Sequence, residues 1–520
     1  MSAESPAAPP VERPMPPLKV QIGFFAMVIG MFMAILDVQI VASSLGEIQA
    51  GLSASIEEIS WVQTSYLIAE VIMIPLSGTL ARIMSTRVLF ALGALGFTVM
   101  SLACAMANSI ETMILARSLQ GFFGGAMIPT VFATAYTIYP RRHMARISVM
   151  IGLTATMGPT IGPTLGGYIT QTLGWHWLFS INLVPGLIVA ATVWNFLDVD
   201  RAEPAYLRGL DLIGLVLLTV SLGSLQYMLE EGPRKDWFDD DRIVHLALIS
   251  CASGLLFLYR VFTYRQPIID LRAFSDRNFT LGCIYSFVVG IGLYGSVYMT
   301  PLFLAQVREY NAMQIGVIMM VTGLFQLGMA PIAGMLSTRL DLRVMLSFGF
   351  LMFCYALYLN SHLTAQSSYW ELFVPQAVRG VSLMFCFIPV NRLALGTLPP
   401  DKLKNGSSLY NLMRNLGGAM GLATINTLLQ DRTALHLARL TDHLSLSRPE
   451  VQARIDRLAE RFADSIAGDP ELAAMRQIFR LVQREALVMG FNDCLLLLGL
   501  TFAASLILMP LVRKPRSLGD

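Results

Sequence analysis

Fourteen apolar runs, each near the length that crosses a bilayer, constrain this 520-residue chain more than any other feature. They fall at 21–44, 59–81, 88–107, 110–138, 145–170, 176–197, 209–229, 243–263, 279–304, 313–335, 344–361, 371–396, 407–429 and 491–512. A helix needs about 20 apolar residues to span the hydrocarbon core. Backbone in lipid must satisfy its hydrogen bonds internally, so the runs predict an all-α polytopic membrane protein. Composition agrees, with 55% hydrophobic and 14% charged residues, where soluble proteins carry about 25% charged. A soluble multidomain enzyme is excluded. A net charge of +2 gives no reason to expect nucleic acid as a partner. The six cysteines form no CxxC pair and no metal spacing. Cys104, Cys251, Cys283, Cys354, Cys386 and Cys494 all lie in or beside apolar runs and read as small packed hydrophobes.

An even number of spans puts both termini on one side of the membrane. Counted over the termini and one alternate set of loops, Lys and Arg number about 21, against about 4 in the short loops of the other set. Both termini are therefore expected in the cytoplasm. Residues 1–20, Pro-rich and polar, read as a disordered cytoplasmic tail without a cleavable signal. One outer connection, 430–490, is long. Val451, Ile455, Leu458, Phe462 and Ile466, then Leu472, Met475, Phe479 and Val482, recur at helical spacing and predict an amphipathic hairpin.

The chain repeats itself weakly. Gly78, Leu80, Arg87 and Val88 recur 256 residues later as Gly334, Leu336, Arg343 and Val344. This divides the spans into a six-helix bundle (21–200), two inserted helices (205–265) and a second six-helix bundle (275–512). Span 4 reads ILARSLQGFFGGAMIPT and contains R-x-x-Q-G through Arg117, Gln120 and Gly121. Span 5 reads GLTATMGPTIGPTLGGYI and carries G-x-x-x-G-P-x-x-G-G through Gly158, Gly162, Pro163, Gly166 and Gly167. LDVQIVASSL in span 1, WHWLFSINLVPG at 175–186, SSLYNLMRNLGGAMGLA at 407–423 and FND at 491–493 complete the set.

In this order the motifs resemble those of the EmrB/QacA-type fourteen-span drug:proton antiporters of the major facilitator superfamily. The resemblance implies the major facilitator fold with two inserted helices. It also implies export of hydrophobic or amphipathic compounds across the bacterial cytoplasmic (inner) membrane, driven by the proton motive force with no cofactor. In a two-membrane bacterium it further implies a periplasmic adaptor and an outer-membrane channel, with the 430–490 hairpin as docking surface. The chain departs from the family in its cytoplasmic loop, GTLARIMSTRV, which holds Gly78, Arg82 and Arg87. Arg82 stands where the family has Asp, which puts a charge-paired inner gate built on that Asp in doubt.

Ionisable side chains at membrane depth are costly and mark function by default. Here they are Asp37, Glu70, Arg117, Arg379 and Arg414. Asp37 and Arg117 lie at similar depth, so either a protonation switch or a permanent ion pair fits them. Glu70, in YLIAEVIMIP without a nearby cation in sequence, suits proton carriage or attraction of a cationic substrate; a neutral Glu hydrogen-bonded across the bundle is the alternative. Arg414, flanked by Asn411 and Asn415, fits interhelical contacts or a proton role. Arg379 reads as a snorkelling anchor near a helix end, and Asp493 as a helix cap. The glycines at 158, 162 and 166, with Pro159 and Pro163, predict a bent helix sealing the interface between the halves. Gln63, Tyr66, Tyr294 and Tyr298 are expected in the substrate cavity.

Two other function classes fit the sequence less well. A membrane-embedded enzyme needs clustered His, Asp or Cys at one face, yet the six histidines are dispersed over both sides. A non-transporting sensor is the second. Direct ATP use has no G-x-x-x-x-G-K-[ST] loop behind it. Within transporters, an exporter of one metabolite or fatty acid is the alternative to a multidrug exporter.

Overall fold

Where apolar runs meet short polar turns, helices start on side-chain caps that satisfy their first amides. Ser55, Asp211, Asp240, Asp276, Asn311, Asp341 and Asp469 each accept a backbone N–H of the helix that follows. The computed structural model describes residues 14–444, 448–463 and 469–513. Fourteen long helices follow in order: α1 Leu18–Ala42, α2 Ile56–Met84, α3 Thr86–Ala105, α4 Ile110–Ile138, α5 Met144–Leu173, α6 His176–Phe196 and α7 Leu212–Glu231. Then come α8 Asp241–Thr263, α9 Arg277–Gln306, α10 Ala312–Arg339, α11 Leu342–Asn360, α12 Tyr369–Leu395, α13 Leu403–Asp442 and α14 Pro470–Ser505. Short breaks near Ala126 and Ile181 interrupt α4 and α6.

Among the described residues, twelve of these helices are long and apolar enough to cross a membrane. The other two, α5 and α13, have 30 and 40 residues but trade Leu and Ile for Gly, Pro, Thr, Asn and Arg. That exchange has a packing reason, because both are interior helices. α5 lies between α1 and α10, and α13 packs on α2, α9 and α14. Burial separates the remainder: 78% of the apolar stretch of α1 is buried, against 17% of α8, which faces lipid.

α7 and α8 form their own antiparallel pair. Ser221 Oγ donates to the Ser250 carbonyl at 3.0 Å and Ser250 Oγ returns a bond to the Ser221 carbonyl at 2.9 Å. Arg260 Nε donates to Asp211 Oδ1 at 2.5 Å. The other side of α7 rests on α2, where Gly223 meets Ile68 and Ile72. Beyond α7, Trp237 Nε1 donates to Thr427 Oγ1 of α13 at 2.7 Å.

The 430–490 segment, expected as an amphipathic hairpin, is helical over nearly all of its described residues. α13 runs on to Asp442 and α14 begins at Pro470, so the spanning helices themselves supply most of it. A short helix, Pro449–Ala463, packs against the start of α14 through Ile455, Leu458 and Ala474. Leu472 and Phe479 are 43% and 45% exposed and lie off that packed face. Ile466 falls outside the described residues. So do residues 1–13 of the expected tail, whose end at Leu18–Val20 is already helical.

Candidate functional site

Residues of α1, α2, α4 and α6 converge on one buried carboxylate. Asp37 Oδ2 accepts from Arg117 Nη1 at 2.6 Å, and both side chains are fully buried. Asp37 Oδ1 accepts from Asn182 Nδ2 at 2.8 Å and from Gln120 Nε2 at 3.1 Å. Arg117 Nη1 also donates to Gln120 Oε1 at 2.8 Å, its Nε to the Val62 carbonyl at 3.2 Å, and its plane lies 4.2 Å from the centre of the Tyr66 ring. Three donors on one carboxylate make an ion pair whose desolvation is well repaid. The pairing of Asp37 with Arg117 is thus as the sequence suggested. Tyr66 belongs to this cluster and not to the cavity wall, because its ring is fully covered beneath the guanidinium.

A second group lies between the two ends of the chain. α1, α2, α7, α9 and α13 enclose a cavity of ≈ 80 Å³ lined by Gln39, Gln63, Glu70, Gln226, Glu230, Tyr294 and Asn415, with apolar side chains between them. Asn415 is the hydrogen-bonding neighbour of Glu70, and Arg414 the cation that acts on it most strongly. The cavity is far smaller than the roughly 300–1,000 Å³ typical of drug-sized ligands. Gln63 and Tyr294, expected to line a cavity, line this one, and Glu70 stands on the same wall. Tyr298 is not: it is 37% exposed, beside Asn426. Glu230, from the inserted helices, escaped notice because it sits at the end of its apolar run beside Glu231, Arg234 and Lys235, where a charge reads as an interfacial residue. A larger hollow of ≈ 350 Å³, at the outer ends of α3 and α4, is lined by apolar and small polar side chains and opens beside lipid-facing Leu115 and Leu119. It holds no titratable group.

Below the cavity the chain is closed. The Phe132 ring of α4 lies 6.3 Å from Phe387 of α12 and 5.8 Å from Tyr410 of α13. Arg414 sits over both phenylalanines at 5.5 Å and donates through Nη2 to Asn411 Oδ1 at 2.7 Å. Nearer the cytoplasm, Ser77 and Ser408 hydroxyls meet at 3.0 Å. Gly78 lets α2 approach so closely that a Cβ there would lie 2.9 Å from the Lys404 carbonyl. Arg82 Nη2 donates to the Asp401 carbonyl at 2.5 Å, and Arg87 lies over Trp194. Lys404 forms an ion pair with Asp200, which also accepts from the Thr86 amide at 2.9 Å. A charge pair thus ties the inner side although the loop has Arg82 in place of Asp, with the carboxylate supplied by Asp200 from the segment that follows α6.

Several expectations need correction. The glycines of α5 pack within the first bundle: Gly158 faces Ile35, Gly162 faces Gln39 and Gly166 faces Ile40 and Ser43, all on α1. Contact with the second bundle is made by a different face, where Thr156 pairs with Gln326, Thr160 with Gly323, Thr164 with Gly316 and Gly167 with Ala312. A four-residue spacing reveals a close-packing face but not which neighbour it meets. Pro159 and Pro163 stay within one continuous helix. Arg379 is mid-helix and 2% exposed, not a snorkelling anchor. Its Nη1 donates to the Ser296 carbonyl at 2.9 Å and its Nη2 to Thr322 Oγ1 at 3.0 Å. Asp493 caps nothing. It lies within α14, where its Oδ2 is 2.9 Å from His436 Nε2 and 3.9 Å from Arg432 Nη1.

Residues 27–422 match the Major Facilitator Superfamily. The chain is 42% identical to the colistin resistance protein EmrB of Acinetobacter baumannii, over 92% of this chain and 93% of that one. It is 29% identical to the multidrug export protein EmrB of Escherichia coli K12, over 95% and 97%. The fold is similar to the crystal structure of the human organic anion transporter MFSD10 (TETRAN), with a TM-score of 0.59 at 12% identity, covering 95% of this chain and all of that one.

Proposed function

From membership of the Major Facilitator Superfamily, in its EmrB-type branch, to which this chain belongs, we propose proton-driven export of hydrophobic and amphipathic compounds across the bacterial cytoplasmic membrane. The protein is a multi-pass membrane transporter of small molecules and not an enzyme. We take 21–200 and 275–512 as the two moving bundles, with 205–265 inserted between them.

The observation that carries this reading is the position of Glu70. It stands on α2 of the first bundle, on the wall of the central cavity, facing Asn415 and Arg414 on α13 of the second. An ionised Glu70 attracts Arg414 and holds α2 against α13. A proton removes that attraction, which is strong because the surroundings are apolar. Protonation from the outer side thus loosens the closed cytoplasmic layer of Phe132, Phe387 and Tyr410. Once the inner side opens, the proton leaves to the cytoplasm, substrate enters, and the restored charge draws the halves together again. Asp37 and Arg117 take part by exchanging partners as α1 moves. Gly158, Gly162 and Gly166 fix α5 to α1 within the first bundle, with Pro159 and Pro163 in the same helix, while Gly167 meets Ala312 of α10 on the seam where the two bundles move against each other. In a two-membrane bacterium, the segment around Pro449–Ala463 meets a periplasmic adaptor and, through it, an outer-membrane channel.

Glu70→Gln tests the reading directly. In proteoliposomes it abolishes substrate-induced proton flux while substrate binding stays measurable. Wild-type proton flux in that variant overturns the assignment.

A further inference from the structure

We propose that Glu230, on the inserted helix α7, is the outer proton-accepting group, and that protons pass between it and Glu70 through the small polar cavity both residues line. The inference rests on the antiport reading above and extends it to helices outside the two six-helix bundles.

Three observations support it. First, Glu230 is in the last turn of α7, at its outer end, and it shares the cavity wall with Glu70 of α2. No Lys or Arg lines that cavity. Second, the volume suits water and not substrate. A cavity needs only about 10–15 Å³ to admit one water, so ≈ 80 Å³ has room for a few waters. Third, the wall offers what such waters need. Gln39, Gln63, Gln226, Tyr294 and Asn415 line it, and Gln63 Oε1 and Asn415 Oδ1 are buried with no hydrogen-bond partner among the described residues. A bridging water needs two to four polar partners, and the cavity supplies them from one carboxylate to the other. A proton arriving from outside adds to the Glu230 carboxylate, moves to water as Glu230 is restored, and ends on Glu70; no other group is consumed.

The charges around Glu230 leave it free for this role. Glu231 is held by Arg234 at 2.8 Å, and Lys235 Nζ lies 3.4 Å from Tyr227 Oη. Gln226 is its hydrogen-bonding neighbour on α7. From α2 it faces Glu70. From α9 it faces Tyr294 and Tyr298, and α13 contributes Arg414 below Glu70. Asp241, Arg242 and His245 of α8 are exposed at the outer surface, and Asp37 of α1 is turned away to Arg117.

The test uses the full-length transporter in proteoliposomes, as wild type, Glu230→Gln and Glu230→Asp. Ethidium, a cationic dye, and a neutral apolar dye serve as substrates. Two rates are read: proton flux driven by a substrate gradient, and substrate counterflow at equal pH on both sides. Glu230→Gln is expected to slow proton flux about tenfold, in the range lost when a positioned proton-transfer group is removed. Counterflow of both dyes stays at the wild-type rate, which shows a folded protein. Glu230→Asp, still an acid beside the same cavity, recovers most of the proton flux. Wild-type proton flux in Glu230→Gln overturns the inference. So does a selective loss of ethidium counterflow, which makes Glu230 a substrate contact, and so does an equal loss of function in Glu230→Asp, which makes it structural. A wild-type protein that moves no protons overturns the antiport reading itself.

Discussion

Arg117 and Arg379 stand on the fourth helix of the first and of the last six, and their surroundings differ in charge. Around Arg117 there is a carboxylate, two amides and a tyrosine face. Around Arg379 there are a backbone carbonyl and two hydroxyls, with Thr300 Oγ1 at 3.5 Å as the second. The first site is neutral as a pair, whereas the second keeps a buried positive charge. In the proposed six-two-six division, the first bundle holds both membrane-depth acids, Asp37 and Glu70, and the second contributes Arg379 and Arg414. Related scaffolds have thus been charged oppositely, and the seam between them joins unlike sides.

The largest effect should come from breaking the neutral site. Asp37→Leu leaves Arg117 buried and unpaired, at a cost of about 3–5 kcal/mol. Denaturant unfolding in detergent should register it, and adding Arg117→Leu to the same chain should recover most of the loss. If Asp37→Leu is as stable as wild type, the contrast between the two sites fails. A smaller effect of opposite sign is expected in the other half. Arg379→Met removes a cation that has no carboxylate, so it should be neutral or stabilising by about 1 kcal/mol in the same unfolding assay. A loss matching that of Asp37→Leu would show that Arg379 has an anionic partner. The smallest effect concerns the inner closure. The Lys404–Asp200 pair is partly exposed, at 20% and 18%, and such pairs are worth about 0.2–1 kcal/mol. Lys404→Ala should shift the closed-to-open ratio by no more than a few-fold, read as the alkylation rate of Ser408→Cys from the cytoplasmic side.

Much of this was legible in the sequence, and the boundary of what was legible is physical. Length and apolarity are properties of a single helix, so twelve spans can be read one at a time, whereas the Gly-rich α5 and Arg-bearing α13 are weaker runs of similar length. The polarity of the loops oriented them. Asp37 and Arg117 could be paired because opposite charges at equal depth in lipid have few other ways to be satisfied. Rotation about the helix axis was not legible. It decides that the α5 glycines meet α1 while the threonines meet α10, and that Tyr66 points to Arg117 while Tyr294 points to the cavity. Glu230 was hidden for a related reason: a carboxylate at the end of a span looks solvated until the neighbouring helices are in place. Asp493 reads as a cap because hydropathy marks only the apolar part of α14, which begins at Pro470. Arg379 lies well inside the span 371–396, which nearly coincides with α12, and its side-chain partners are set by helix rotation.

The bond from Trp237 to Thr427 has a mechanical consequence. α7 leans on α2, yet the loop that follows it is fastened to α13. A lever attached to both jambs of a doorway cannot stay passive when the door moves. As α2 and α13 part at the outer mouth, either α7 is dragged along or the indole lets go. The inserted pair is thus tied to both sides of the cavity, and α8, its lipid-exposed member, is carried with α7 wherever that tie pulls it.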